Sequence, residues 1–327
     1  MLATLLQMMS DGQFHSGESL GRELGVSRAA VWKALKRLED DGYPIQRVRG
    51  RGYRVPAGAV LLDLERIQGA LPPSLSRAIR WQLLDCVDST NAELMRSIGS
   101  VGGAGISVCL AEQQTSGKGR RGREWVSPYA QNVYLSVAVP FSEGAQKLEG
   151  LSLLVGLVLV EALEACGYQG CGLKWPNDVL LGDSKLAGIL VEIAGDVTSD
   201  CVAVIGVGIN VLMSRPDAAI GQAWTSLYLS RQLQDVRLDR NAIVAEFVRR
   251  LVAALDAFRL QGFAPFVGSW EQRDLWRGLP VRVQAGETRW FGLANGVDER
   301  GALRLETERG EVLLHGGEVS LRLNNDS

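Results

Sequence analysis

Apolar runs of two lengths alternate through the middle of this chain, and that alternation limits the folds open to it. Short runs over 106–111, 132–140, 173–181, 186–193 and 202–211 have strand length and are rich in β-branched residues. Longer runs over 148–166 and 241–260 have helical length. Gly182-Asp183-Ser184 joins two of the strands as a hairpin turn. Such elements bury their apolar sides on one another as a central mixed β-sheet with packed helices, α+β in class. A chain of 327 residues has room for two or three domains. The richest apolar stretch, 151–160, is too short for a bilayer and reads as a buried helix. Residues 1–9 lack the basic start and the cleavage site of a signal peptide. A cytoplasmic address without a membrane partner is expected.

The two ends read differently from the middle. Leu2, Leu5, Leu6 and Met9 recur at helical spacing, and Asp11-Gly12-Gln13 breaks that helix. Ser16 caps a second helix with Leu20 and Leu24 on its inner side, and Gly25 permits a tight turn. Ser27 caps a third helix with Val31, Leu35 and Leu38 facing inward. Its outer side carries Arg28, Trp32, Lys33, Lys36 and Arg37. Short strands then flank Arg49-Gly50-Arg51-Gly52, a basic wing tip. This order is a winged helix-turn-helix, with Ser27, Arg28, Trp32, Lys33, Lys36, Arg49 and Arg51 as its DNA-binding residues. Charge agrees: residues 1–56 hold nine Lys/Arg against six Asp/Glu, on a chain whose net charge is −2. A basic head on an acidic body places the polyanion at the head. The same composition would also suit a small, solvated basic hairpin. At the other end, strands over 281–283, 289–294, 302–306 and 312–315 alternate with polar turns, as in a small β-barrel. Pro56-Ala57-Gly58-Ala59 is a linker. The boundaries are 1–56, 57–274 and 275–327.

Five cysteines without a C-x-x-C pair and only two histidines leave little for a disulfide framework, a His/Cys metal site or a His-based triad. No protein-built metal site is expected. The chemistry lies instead in Gly117-Lys118-Gly119-Arg120-Arg121-Gly122-Arg123. Its glycines expose backbone N–H groups and its cations neutralise an anion, so it suits phosphate. It follows neither the Walker A nor the Rossmann spacing, and a solvated basic loop or a nucleic-acid contact would look the same. Asp88-Ser89-Thr90-Asn91 precedes a helix and would at least cap it. Lys174-Trp175-Pro176-Asn177-Asp178 puts a lysine into an apolar strand, which is costly unless it meets an anion. Lys185-Leu186-Ala187-Gly188 repeats the theme, and Gly206-Val207-Gly208-Ile209-Asn210 leaves room for a flat ligand.

These five motifs, in this order, resemble the bifunctional biotin–protein ligase/biotin-operon repressor family over essentially the whole chain. The resemblance implies an ATP-dependent ligase that makes biotinyl-5′-AMP and transfers biotin to a lysine of a biotin carboxyl carrier protein. It also implies a repressor of biotin-synthesis genes that answers to the adenylate on operator DNA, and an SH3-like C-terminal module. It assigns Ser89, Thr90, Asn91, Gln114, Lys118, Gly119, Arg120, Lys174, Gly206 and Gly208 to biotin. It assigns Lys118, Arg120, Arg121, Arg123, Asn177, Lys185, Asn210 and Trp224 to the nucleotide. Lys174 and Arg120 are the implied catalytic cations, and Mg²⁺ comes with the triphosphate of ATP. Glu318 and Arg322 match tail positions turned toward the nucleotide, and would equally serve as polar barrel surface. Lys118 departs from the family, where many members have Arg; charge is kept and the bidentate fork is lost. A homodimer of the adenylate-bound form is implied, favouring two-site DNA binding. Two alternatives stay open: a lipoate–protein ligase with the same chemistry, and a regulator whose centre only senses a ligand.

Overall fold

The computed structural model describes residues 1–101, 105–142, 144, 148–196, 198–215, 220–230, 237–316 and 319–323. The head is built from α1 (Leu2–Met9), α2 (Gly17–Leu24), α3 (Arg28–Asp40), β1 (Gln46–Val48) and β2 (Gly52–Arg54). Ser16 Oγ accepts from Ser19 N–H (3.0 Å) and Ser27 Oγ from Ala30 N–H (3.2 Å), so both serines cap as expected. Gly25 takes φ +66° between the two helices, a left-handed value that favours glycine. Leu5, Leu6, Met9, Leu20, Val31, Leu35 and Leu38 close a small core. The wing strands pair antiparallel, Arg47 opposite Tyr53.

A short linker region with α4 (Leu64–Gly69) and α5 (Pro73–Ala78) leads to the central sheet. Its strands are β3 (Ile79–Leu84), β4 (Ile106–Ala111), β5 (Val133–Phe141), β6 (Cys171–Lys174), β7 (Asp178–Leu181), β8 (Ser184–Gly195) and β9 (Cys201–Ile209). They are ordered β3-β4-β5-β9-β8-β7-β6. Only β3 and β4 pair in parallel; the other neighbours are antiparallel, so the sheet is mixed as expected. The run 173–181 is divided in two by the turn at Trp175-Pro176-Asn177, and 79–84 is a strand that the sequence reading left unassigned. α6 (Thr90–Val101) meets Cys109, Ala138 and Val204 on one face of the sheet through Leu94. On the other side α7 (Leu151–Ala165) packs against β6, β7 and β8, and α8 (Arg240–Gln261) against α7 and β5. α7 is apolar all round because it is buried all round. No helix among the described residues is long and apolar enough to cross a membrane.

After α9 (Val267–Glu271) the chain forms β10 (Pro280–Ala285), β11 (Thr288–Val297), β12 (Leu303–Thr307), β13 (Gly310–Leu314) and β14 (Val319–Leu323). They make an antiparallel sheet ordered β13-β12-β11-β10-β14. The expected four strands are present, and the tail supplies the fifth. Trp175 is buried and its Nε1–H donates to Gly301 O (3.1 Å), tying this sheet to the central one. The head is tied by Gln131 Nε2, which donates to Asp41 O (2.8 Å), and by Ser214 Oγ, which donates to Gly42 O (3.1 Å); a buried charged pair lies under the segment that follows it. Arg240 and Glu112 form a buried ion pair (2.7 Å); Arg240 also donates to Val60 O, and Glu112 accepts from Leu62 N–H. Tyr43 of the head is buried, its hydroxyl lacks a hydrogen-bond partner, and burial pushes its ionisation well up.

Candidate active site

The site follows from which side chains one face of the sheet lacks. On the α6 face, Ser136 of β5 stands beside Gly206 of β9, and Tyr134 beside Gly208. Gly208 in turn pairs with Gly188 of β8. Strands normally present side chains on both faces, so this patch of glycines opens a hollow under α6. The loop after β4, the β6–β7 turn and the segment 220–224 wall it in. The resulting cavity is about 980 Å³.

Every residue assigned above to biotin or nucleotide lines this cavity: Ser89, Thr90, Asn91, Gln114, Lys118, Gly119, Arg120, Arg121, Arg123, Lys174, Asn177, Lys185, Gly206, Gly208, Asn210 and Trp224. Arg322 lines it too, while Glu318 lies outside the described residues. At one end a polar chain is already ordered. Gln114 Oε1 accepts from Thr90 N–H (2.9 Å) and Thr90 Oγ1–H (3.1 Å), and Gln114 Nε2 donates to Ser127 Oγ (3.1 Å). Ser136 Oγ lies 2.7 Å from Thr90 Oγ1 and donates to Asn91 Oδ1 (2.6 Å), while Asn91 Nδ2 donates to Glu192 (2.7 Å). Ser89, Thr90 and Asn91 are each 3% exposed, so their partners are fixed before any ligand arrives. Gly206 serves this chain: a methyl there would stand 2.5 Å from Asn91 Oδ1.

The cationic end is braced rather than loose. Gly119 N–H donates to Arg123 O (2.7 Å), Trp125 N–H to Gly117 O (2.9 Å), and Arg121 takes φ +60° in the turn between. Arg120 donates to Asn177 Oδ1 (2.9 Å) and to Gly316 O (2.6 Å); burial and its neighbours Arg121 and Arg123 push its ionisation below the usual guanidinium value. Asp178 stands between two lysines, 2.7 Å from Lys185 Nζ and 3.8 Å from Lys174 Nζ. Asn210 Nδ2 donates to Thr225 O (3.0 Å), and Lys185 exchanges backbone hydrogen bonds with Ala223 and Thr225, which seats Trp224 at the rim.

Three groups of the site lie outside the roles that the sequence implies. Asp178 sits inside its motif without one. Trp125 and Trp276 stood outside the motifs, though a tryptophan two residues beyond a basic Gly loop is a signal. The Trp125 indole lies on Gly208, where a methyl would stand 2.4 Å from the ring, and its Nε1–H is buried without an acceptor. In the head, Arg28, Trp32, Lys33, Arg49 and Arg51 are exposed. Lys36 pairs with Asp40 of its own helix (2.7 Å), and Arg51 lies 4.3 Å from the centre of the Phe14 ring.

Comparison with known proteins agrees with this geometry along the whole chain. Residues 2–54 match the HTH domain model, 83–210 the biotin/lipoate A/B protein ligase family, and 278–322 the biotin protein ligase C terminal domain. The bifunctional ligase/repressor BirA of Salmonella typhimurium is 40% identical over 320 residues, 98% of this chain and 97% of that protein. The chain belongs to the bifunctional ligase/repressor BirA family. The BirA of Escherichia coli K12 is likewise 40% identical, over 97% of this chain and 96% of its own length. Among solved structures, the biotin protein ligase from Aquifex aeolicus in complex with biotin and ATP matches with TM-score 0.64 and 31% identity. That match covers 75% of this chain and 99% of the Aquifex chain.

Proposed function

We propose that this chain is an ATP-dependent biotin–[biotin carboxyl carrier protein] ligase that also represses biotin-synthesis genes through its head. One observation carries the reading: the five motifs converge on one cavity whose ordered polar end and braced cationic end suit a small neutral ring and a triphosphate. Ser89, Thr90, Asn91 and Gln114 hold the ureido end of biotin, with Gly206 and Gly208 as floor. Lys118, Arg120, Arg121 and Arg123 face the phosphates, with Asn177 and Lys185; Asn210 and Trp224 serve the adenine side.

The chemistry needs little covalent help from the protein. The biotin carboxylate oxygen attacks the α-phosphorus of ATP, the bond to the β-phosphate oxygen breaks, and pyrophosphate leaves. Two anions must approach, and Lys174 with Arg120 offsets their repulsion and stabilises charge on the phosphoryl oxygens. A lysine amine of the carrier then attacks the acyl carbon, and AMP departs. The folded loop keeps water from the mixed anhydride in between. The donor set suits a Mg²⁺ that arrives on the nucleotide: Asp178 and Asp183 are carboxylates at the cavity wall that would face it. Bound there, the ion would neutralise phosphate charge.

We read the chain as units 1–56, 57–274 and 275–327, working in the cytoplasm. The adenylate-bound form pairs as a homodimer whose two heads reach two operator half-sites. The test is pyrophosphate release from ATP. Release that needs biotin and ignores lipoate supports the ligase; no release from folded protein leaves a ligand sensor. Operator affinity that stays the same with biotin and ATP would remove the switch.

A further inference from the structure

The segment from Arg273 to Trp276 enters the C-terminal sheet, and it is laced to β6 beside Lys174. Leu173 N–H donates to Arg273 O (2.8 Å), and Leu275 N–H donates back to Leu173 O (3.0 Å). The Leu275 side chain fills the space over Gly172, where a methyl would stand 2.4 Å from its Cγ. Arg273 reaches Glu164 of α7 (3.0 Å). Asp274 Oδ1 accepts from Trp276 N–H (3.0 Å), which orients the backbone at the tryptophan. The indole is thus held from its own strand side, and its face meets Lys174, with Nζ 4.4 Å from the centre of the ring. Both side chains line the cavity.

We propose that Trp276 is a positioning residue for adenylation, holding the Lys174 ammonium by cation–π contact where the carboxylate meets the α-phosphate. The proposal rests on the ligase reading of Lys174. A lysine carries its charge on a flexible four-carbon stem. Asp178 Oδ2 stands 3.8 Å from Nζ as a second hold on the same charge. An aromatic face attracts the charge and is a weak partner for N–H, so it yields the hydrogens to phosphoryl oxygens.

The experiment is a double-mutant cycle on the full chain, read by single-turnover, biotin-dependent pyrophosphate release. Trp276→Leu keeps apolar bulk and removes the ring. It is expected to lower the single-turnover rate constant about tenfold, which is ~1.4 kcal/mol, with the biotin concentration for half-maximal rate changed less than about twofold. Trp276→Phe restores most of the rate, because a smaller ring keeps its negative face. In a Lys174→Ala background, Trp276→Leu has no further effect, since the partner it acts through is gone. A tenfold loss in that background as well, or a Phe variant as slow as Leu, overturns the proposal and leaves Trp276 a wall of the fold. Should the Leu variant fail to unfold cooperatively, Trp276→Tyr and Trp276→Phe carry the test through their order of rates, Trp above Tyr and Phe. A native chain that releases no pyrophosphate with biotin overturns the ligase reading and this proposal with it, an outcome set apart because it appears before any variant is made.

Discussion

The cations of the head and those of the cavity are held in opposite ways. Arg28, Lys33, Arg49 and Arg51 stand exposed on α3 and the wing. Lys174 and Lys185 keep 19% and 15% of their side chains exposed and share Asp178 between them. Arg120 is tied to Asn177 and to a backbone carbonyl. Exposed cations on long stems can follow a phosphate backbone, and dissolved salt displaces them readily. Braced cations in a half-buried hollow suit one small anion in one place, where charge stabilisation is strong because nothing has to reorganise. On the proposed reading one chain carries two kinds of phosphate site, and exposure separates them.

A third kind of charged group is the fully buried pair of Arg240 and Glu112, under the segment that follows the head. Its removal has the largest expected effect. Arg240→Met leaves Glu112 buried and charged, and the carbonyl of Val60 without its donor. The expected loss is about 3–5 kcal/mol of stability by urea unfolding. A loss under about 1 kcal/mol would mean that water reaches the pair.

Next comes the cavity. Lys174→Ala is expected to slow biotin-dependent pyrophosphate release by about 10²–10³ while operator affinity of the ligand-free chain stays unchanged. If DNA affinity fell in step with the rate, the two phosphate sites would not be separate.

The contrast also marks what could be read without a structure. The cavity residues were legible because their motifs break the apolar pattern: a lysine, a glycine pair or an amide in a strand needs a reason. The head was legible because its serine caps and glycine turn are local. What stayed hidden is set by tertiary context. β3 is an edge strand with one buried residue, so Ile79–Leu84 shows no clean alternation. Val319–Leu323 becomes a strand through pairing with β10, which no local signal announces. Arg240 sits at the polar start of a helix, and burial against a residue 128 positions away cannot be seen from there. Trp276 looks like any core aromatic until the segment is found against β6. Lys36 adds a contact that its motif does not show, an exposed pair with Asp40 one turn on in its own helix.

Asp274 lets the braced end be probed by pH. Burial pushes its carboxyl up from 3.8 to about 6. A folded-state value above the unfolded one means that protonation favours the fold. That contribution is full below 3.8 and is lost as pH rises through about 6. Asp274→Asn keeps an acceptor for Trp276 N–H and cannot ionise. Across that window the native chain should lose about 2–3 kcal/mol of stability relative to the Asn variant. Parallel stability curves for the two proteins would place the carboxyl in water.

The smallest expected effect is on the wing, and it bears most directly on the contrast. Arg51 is exposed and its guanidinium rests on the Phe14 ring, 4.3 Å from the centre, a weak hold compared with two hydrogen bonds. If it neutralises one phosphate, Arg51→Ala should reduce the slope of log K against log salt by about 1, and weaken specific and non-specific DNA alike. Pyrophosphate release should not change, because among the described residues no wing residue lines the cavity. A selective loss on one operator sequence would instead make Arg51 a reader of base edges. The head would then hold a fixed cation like those of the cavity, and exposure alone would no longer tell the two phosphate sites apart.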